Sequence, residues 1–216
     1  LVMFAVFRTI FGTHAIKGWP FLAYVHSGIT VFAFFSQSSL DVAPSLRSSS
    51  GILTRTSAAP EVFVLSAIVS GLVTFAASTA ILVTILLISG KGLSMAIFLL
   101  VPTALSLAFL STGVGSLISH YAIQYEDVNA LSNLGMTIIG YLVPSFYPIT
   151  IIPGSWRGFY KLDPVVPLLD MYRSAFGYPL TVGWAYRIGA MAFSVALGLA
   201  GLHSFRRRWP RVVTEL

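Results

Sequence analysis

Four histidines (His14, His26, His120 and His203) and seven carboxylates are all that this chain offers for proton transfer or metal ligation. No two histidines stand in a His-x-x-x-His pair, and no His-Glu-x-x-His run or clustered acidic motif occurs, so zinc-type chemistry has no ligand set in the sequence. Only Glu126-Asp127 and the Asp163/Asp170 pair bring carboxylates close enough for acid–base work. Each sits in a connection between apolar runs, which reads as interfacial structure rather than catalysis. Cysteine is absent, which removes thiolate nucleophiles, thiolate metal sites and disulfides. Lys91, held between Gly90 and Gly92, lacks the Gly-x-x-x-x-Gly-Lys-Ser/Thr spacing of a phosphate loop. The expectation is a non-catalytic chain with no metal or cofactor of its own; if ATP is used, another chain binds it.

The elements that carry these residues are greasy. Hydrophobic residues make up 56% of the chain and charged residues 9%, against about 25% charged in soluble domains, and mean hydropathy is +0.85. Such a chain cannot cover itself with a water-compatible surface, and the class it points to is an integral membrane protein. The net charge of +6 does not argue for nucleic acid. Arg206, Arg207, Arg208 and Arg211 concentrate in "FRRRWPRVVTEL" just beyond an apolar run, which is a cytoplasmic topology signal that also suits anionic headgroups.

A spanning helix needs about 20 apolar residues. Charge-free runs predict an all-α single domain over 1–216 with six spans near 1–11, 22–40, 62–89, 93–119, 129–147 and 183–205. The first reads as the outer end of a span cut short, and Arg187 lies close enough to the end of the last to snorkel. No basic n-region or cleavage site of a signal peptide precedes it. The breakers at Gly90-Lys91-Gly92 make the third and fourth spans an antiparallel hairpin. Counting back from the basic tail places both ends in the cytoplasm, the connections 41–61 and 120–131 inside, and 148–182 outside. Arg47 and Arg55 agree with this orientation, whereas Lys17, Lys91, Arg157, Lys161 and Arg173 fall on the outer side.

The stretch "PSFYPITIIPGSWRGFYKLDPVVP" (144–167) is too interrupted by proline to span and too apolar for an ordinary loop. Spans three to five carry no mid-span charge but are dense in Ser, Thr, Gly and Ala, as in "SGLVTFAASTA" (70–80) and "STGVGSLIS" (111–119). Small residues at that density allow close helix packing; a polar pathway is the other reading. Aromatics gather at the outer end of the first two spans (Phe4, Phe7, Phe11, Trp19, Phe21, Tyr24) and of the fifth (Phe146, Tyr147, Trp156, Phe159, Tyr160). Two readings stay open for them: an interfacial belt, or a lining on which sugar rings stack and slide.

The order of these features resembles one family, the membrane permease subunits of type-2 ABC transporters, in the branch that exports cell-surface polysaccharides such as O-antigen or teichoic acid. "FRTIFGTHAIKGWPFLAYVHSGITVFAFFSQS" is similar to its passage from first to second span, with Gly18, Pro20 and Phe21 in a Gly-x-Pro-aromatic turn and Gly28, Phe32 and Phe35 in a Gly-x3-aromatic-x2-Phe pattern. "GILTRTSAAPEVFVLS" is similar to the inner loop before the third span, with Thr54-Arg55 and Pro60 in register. The aromatic-Tyr-Pro, Pro-x-x-Trp-Arg, Asn-Pro and Tyr-Arg of the family are matched by Tyr147-Pro148, Pro153 to Arg157, Asp163-Pro164 and Tyr172-Arg173. The chain departs from the pattern at Asp163, where relatives carry Asn, and at Gln124-Tyr125-Glu126-Asp127, where they commonly read Arg-Tyr-Arg-Asp.

The resemblance implies a multi-pass permease of the bacterial inner membrane that works as a homodimer. Two copies of a separate ATPase subunit would hold the ATP and Mg, and the substrate would be a lipid-linked glycan. It further implies that 41–61 and 120–131 couple to the ATPase through Arg47, Arg55, Pro60, Glu61, Glu126 and Asp127. Residues 148–179 would then form two re-entrant helices of an outer gate, with Phe4, Phe7, Phe11, Tyr147, Trp156, Arg157, Phe159, Tyr160, Tyr172 and Arg173 along the path. Such broken backbone is tolerated at membrane depth only when protein or water satisfies it. Two alternatives stand beside this: a drug or lipid efflux permease on the same scaffold, and an integral-membrane transferase acting on lipid-linked sugars.

Overall fold

The computed structural model describes residues 19–48, 61–92, 94–149 and 152–212. The expected first span, with Phe4, Phe7 and Phe11, and Arg55 and Pro60 of the 41–61 connection lie outside the described residues. Every regular element within them is helical: α1 (Phe21–Leu40), α2 (Val42–Ser48), α3 (Glu61–Ile88), a 3₁₀ turn (Met95–Leu99) leading into α4 (Leu100–Gln124), α5 (Glu126–Leu142), α6 (Gly154–Leu162), α7 (Val165–Ala175) and α8 (Trp184–Val212).

Among the described residues three helices are long and apolar enough to cross a membrane: Glu61–Ile88, Met95–Gln124 and Trp184–Arg207. The 28 residues of α3 carry one charge, Glu61 at the start, and Val69, Val73, Ile81 and Leu87 are left exposed, as suits a helix facing hydrocarbon. α1 occupies the position expected for the second span. Its 20 residues reach about 30 Å, and it packs against α3, α4, α5 and α7. That central place accounts for its buried Ser27, Thr30, Ser38 and Ser39.

The helix expected over 129–147 instead runs Glu126–Leu142. Pro144 sets the correction: a residue before proline is driven out of the αR region, and Val143 sits at φ −65°, ψ 130°. The α3–α4 hairpin forms as the glycines predict. Gly90 takes φ +72°, the Gly90 N–H donates to the Leu87 carbonyl (3.0 Å) and the Lys91 N–H to that of Leu86 (2.9 Å), which together close a Schellman cap.

Small residues pack the centre. A Cβ on Gly113 would lie 2.6 Å from the Leu197 carbonyl oxygen, one on Gly198 2.7 Å from that of Phe109, and one on Gly201 2.7 Å from the Gly113 Cα. α4 and α8 therefore run side by side, backbone against backbone, as the Ser/Gly density of 111–119 anticipates. α1 lies along the opposite flank of α4, where the Ser39 and Ser111 hydroxyls reach toward each other's helix.

Candidate functional site

The segment after α5 folds back as two short helices. Val143, Pro144 and Ser145 leave α5, and Tyr147 Oη donates to the orphan carbonyls of Leu142 (3.1 Å) and Tyr141 (3.3 Å). Pro153 starts α6, and the Arg157 Nε returns to the Ile152 carbonyl at 2.6 Å. Asp163 links α6 to α7: its Oδ1 accepts from the Val165 N–H at 2.9 Å, a side-chain cap on the new helix. Burial moves its carboxyl above the usual range, with the Val165 N–H opposing.

α6 and α7 face opposite environments. In α6, Trp156 (62% exposed), Phe159 (69%) and Leu162 (70%) form an outward apolar stripe, while Tyr160 and Ile152 pack toward Val166. Lys161 places its Nζ 5.7 Å from the Tyr186 ring centroid. In α7 every residue from Val165 to Ala175 is buried. Tyr172 lies among Phe75 and Phe176, and its Oη meets Thr79 Oγ1 at 2.9 Å; the Thr79 proton already goes to the Phe75 carbonyl, so Tyr172 donates.

Arg173 is the hub. Its Nε donates to Ser27 Oγ (3.0 Å), Nη1 to Tyr24 Oη (2.9 Å) and the Pro144 carbonyl (3.1 Å), and Nη2 to the carbonyls of Tyr24 and Ser145 (3.2 Å each). All five guanidinium N–H groups are thereby satisfied, and the group stacks 3.6 Å from the Tyr24 ring centroid. α1, the α5–α6 connection and α7 meet at this one side chain. Gly177 then caps α7 at φ +87°, which turns Tyr178 onto Trp19 and Tyr24.

A buried ion pair corrects the sequence reading. Arg187 does not snorkel: it is 1% exposed, and its Nη2 meets Asp170 Oδ2 at 2.5 Å. Asp170 is no interfacial loop residue either; it lies within α7 and also accepts from Thr181 N–H (3.1 Å), Thr181 Oγ1 (2.5 Å) and Val182 N–H (3.2 Å). The start of α8 packs on α7, which closes the route by which a long side chain would reach water. Of the residues around these two arginines, Ser27 is not singled out in the sequence, whereas Tyr24, Asp170 and Arg187 are named there in other roles. The signal was present: an ionisable residue within an apolar segment needs a partner, and Asp170 is the nearest carboxylate in sequence to Arg187.

At the opposite end of the bundle, the two expected coupling connections touch. α2 buries Val42 and Leu46 against Val64, Ile123 and Phe205. Arg47 Nη2 donates to the Ala122 carbonyl at 2.5 Å and that of Ile123 at 3.4 Å, so a cation caps the C-terminus of α4. Glu61, at the start of α3, pairs with Arg206 of α8. Glu126 opens α5, and Asp127 beside it is exposed. Arg47 and Glu61 therefore serve ties within the chain, and Asp127 faces outward.

A family model for the ABC-2 type transporter matches residues 1–176. The chain belongs to that family. The inner membrane transport permease YadH of Escherichia coli (strain K12) is 31% identical over 71 residues, which are 33% of this chain and 25% of that protein. The same protein from Shigella flexneri matches to the same extent. The similarity thus covers a quarter of the length of these curated relatives. The matched region of the ABC-2 model takes in all of α1 to α7, including Arg173, and stops at Phe176, short of α8.

Proposed function

We propose that this chain is the permease subunit of an ATP-driven exporter of a lipid-linked cell-surface glycan in the bacterial inner membrane, acting as a homodimer with two ATPase subunits. Family membership supports the transport role and pairing with an ABC ATPase. The observation that carries the glycan reading is the outward stripe of Trp156 and Phe159 on α6, set on an α7 that the Arg173 cluster holds rigid. Flat aromatic faces bind the apolar faces of sugar rings weakly and repeatedly, which suits a polymer in transit. Tyr147 and Tyr160 back the stripe, and Tyr172 and Arg173 anchor the gate.

In this reading both termini are cytoplasmic, six spans cross the membrane, and residues 148–179 form the re-entrant outer gate. The end at which α2, the Arg47 cap and the Glu61–Arg206 pair meet takes the force of ATP-driven closure. Arg55, Pro60, Glu126 and the exposed Asp127 are the contacts to the ATPase. Pushing α2 there moves α4 through Arg47, pushing the start of α3 moves α8 through the Glu61–Arg206 pair, and the tilt reaches the gate along the glycine seam. A drug or lipid efflux permease is the second reading, favoured by an apolar groove of about 260 Å³ between α6 and α8, with Leu162, Pro164, Ala190 and Phe193 in its lining.

Reconstitution with the adjacent ATPase tests the proposal. ATP turnover that depends on this chain and rises with a lipid-linked glycan, but not with free lipid, is the result expected. Stimulation by apolar drugs or unglycosylated lipid favours the second reading. Independence of both ATP turnover and translocation from this chain overturns the transport reading.

A further inference from the structure

The groove of about 260 Å³ between α6 and α8 has a low wall on the α8 side. Ala185, Gly189 and Ala190 line it there, and a Cβ on Gly189 would meet nothing within 4 Å. Leu162 of α6 and Phe193 of α8 complete the apolar lining and are 70% and 51% exposed. From Ala185 to Phe193 the groove follows α8 for about 12 Å. α8 is one of the helices long and apolar enough to cross a membrane, so the slot runs alongside the acyl chains of the bilayer. Small residues let a neighbouring chain come close, and a slot without such a neighbour forfeits its dispersion contacts.

A cation stands at the end of the groove nearest the start of α8. Lys161 lines it beside the Tyr186 ring, and its Nζ has no hydrogen-bond or ion-pair partner among the described residues. No carboxylate lines the groove. The charged residues of α6 are Arg157 and Lys161, one turn apart, and Asp163 beyond them turns its Oδ1 to the Val165 N–H. Trp184 and Tyr186, both exposed in the first turn of α8, are amphipathic rings of the kind that sits at the headgroup level. An ammonium at that level carries three donors and no acceptor, which suits a phosphate.

We propose that the α6–α8 groove holds one acyl chain of an anionic phospholipid whose phosphate accepts hydrogen bonds from Lys161. The cationic mouth and the apolar slot below it complement the two halves of one molecule, and the bilayer supplies that molecule. Such a lipid seats the end of α6 on α8. The inference rests on the membrane embedding of the chain and not on the glycan reading.

The chain contains no cysteine, so a bimane on Ile188→Cys, an exposed α8 position beside the groove, reports the lipid there. The same label on Ile81→Cys, exposed on α3, reports the general lipid surround. The full chain sits in phosphatidylcholine vesicles with a small fraction of phosphatidylglycerol or phosphatidylcholine bearing a nitroxide on one acyl chain. At Ile188→Cys the anionic lipid should quench at about one-fifth the mole fraction that phosphatidylcholine needs, and at Ile81→Cys the two should quench alike. Adding Lys161→Gln removes the preference, and Lys161→Arg retains it. Gly189→Leu fills the slot without overlap, and it removes the preference while leaving the unfolding midpoint unchanged. Equal quenching by the two lipids at Ile188→Cys, or an equal preference at Ile81→Cys, overturns the proposal. So does a preference that persists in Lys161→Gln or in Gly189→Leu. ATP turnover plays no part in the measurement, so its failure leaves the transport reading intact, and loss of ATP-dependent transport with the preference preserved counts against transport only.

Discussion

Arg173 donates five hydrogen bonds to three parts of the chain, and a point-like ammonium cannot reproduce that fork. Arg173→Lys should therefore lose roughly 3 kcal/mol or more, read as a thermal unfolding midpoint several degrees lower in detergent. An unchanged midpoint would show the hub to be dispensable. Asp170 and Arg187 form a different case, since removing one charge strands the other. Arg187→Met should cost about 3–5 kcal/mol, whereas Asp170→Asn combined with Arg187→Met should recover a large part of that loss. Unfolding midpoints of the two single variants and the double variant test it; a double variant no better than Arg187→Met would mean that the pair is not a coupled unit. Side chains of this kind were half legible: the Tyr172-Arg173 dipeptide was singled out, but the partners of Arg173 lie 146 and 149 residues away on α1 and 28 and 29 residues away in the α5–α6 connection.

At the scale of elements, the α4–α8 seam and α6 make opposite demands. Gly113 faces the Leu197 backbone, which cannot give way as a flexible side chain would. Gly113→Val should thus force the helices apart at a cost of about 1–3 kcal/mol or more, seen as reduced yield of folded protein and a lower unfolding midpoint. α6 is held through Tyr160, which packs with Ile152 and Val166, whereas Trp156 and Phe159 are 62% and 69% exposed. In the glycan-export reading, Trp156→Ala with Phe159→Ala should leave ATPase assembly and the unfolding midpoint nearly unchanged while export falls by about tenfold or more. Loss of assembly with export would return α6 to plain structure. The helix boundaries were legible wherever proline or glycine acted locally, as at Gly90. The expected extension of α5 to residue 147 failed because Pro144 restricts the residue before it.

For the molecule as a whole, the two expected coupling connections are joined through Arg47 and the last turn of α4. In the exporter reading a push on α2 is felt by α4 without passing through the membrane. Arg47→Ala should then leave the complex assembled and ATP hydrolysis measurable while export per ATP falls severalfold, by roughly the factor of five or more that about 1 kcal/mol of lost coupling represents. Proportional loss of hydrolysis and export would place Arg47 in assembly instead.

Composition by itself determined that this chain lives in a membrane, because 9% charged residues cannot dress a surface for water. Local chemistry determined most helix ends and the α3–α4 hairpin, because proline and glycine act on their immediate neighbours. Only the tertiary structure decided that Arg187 turns inward to Asp170, that Arg173 clamps α1, and that Arg47 caps α4. Each of those outcomes depends on which helices become neighbours. In hydrocarbon that choice rests on backbone contact between small residues and on the pairing of buried polar groups, which no single segment carries alone.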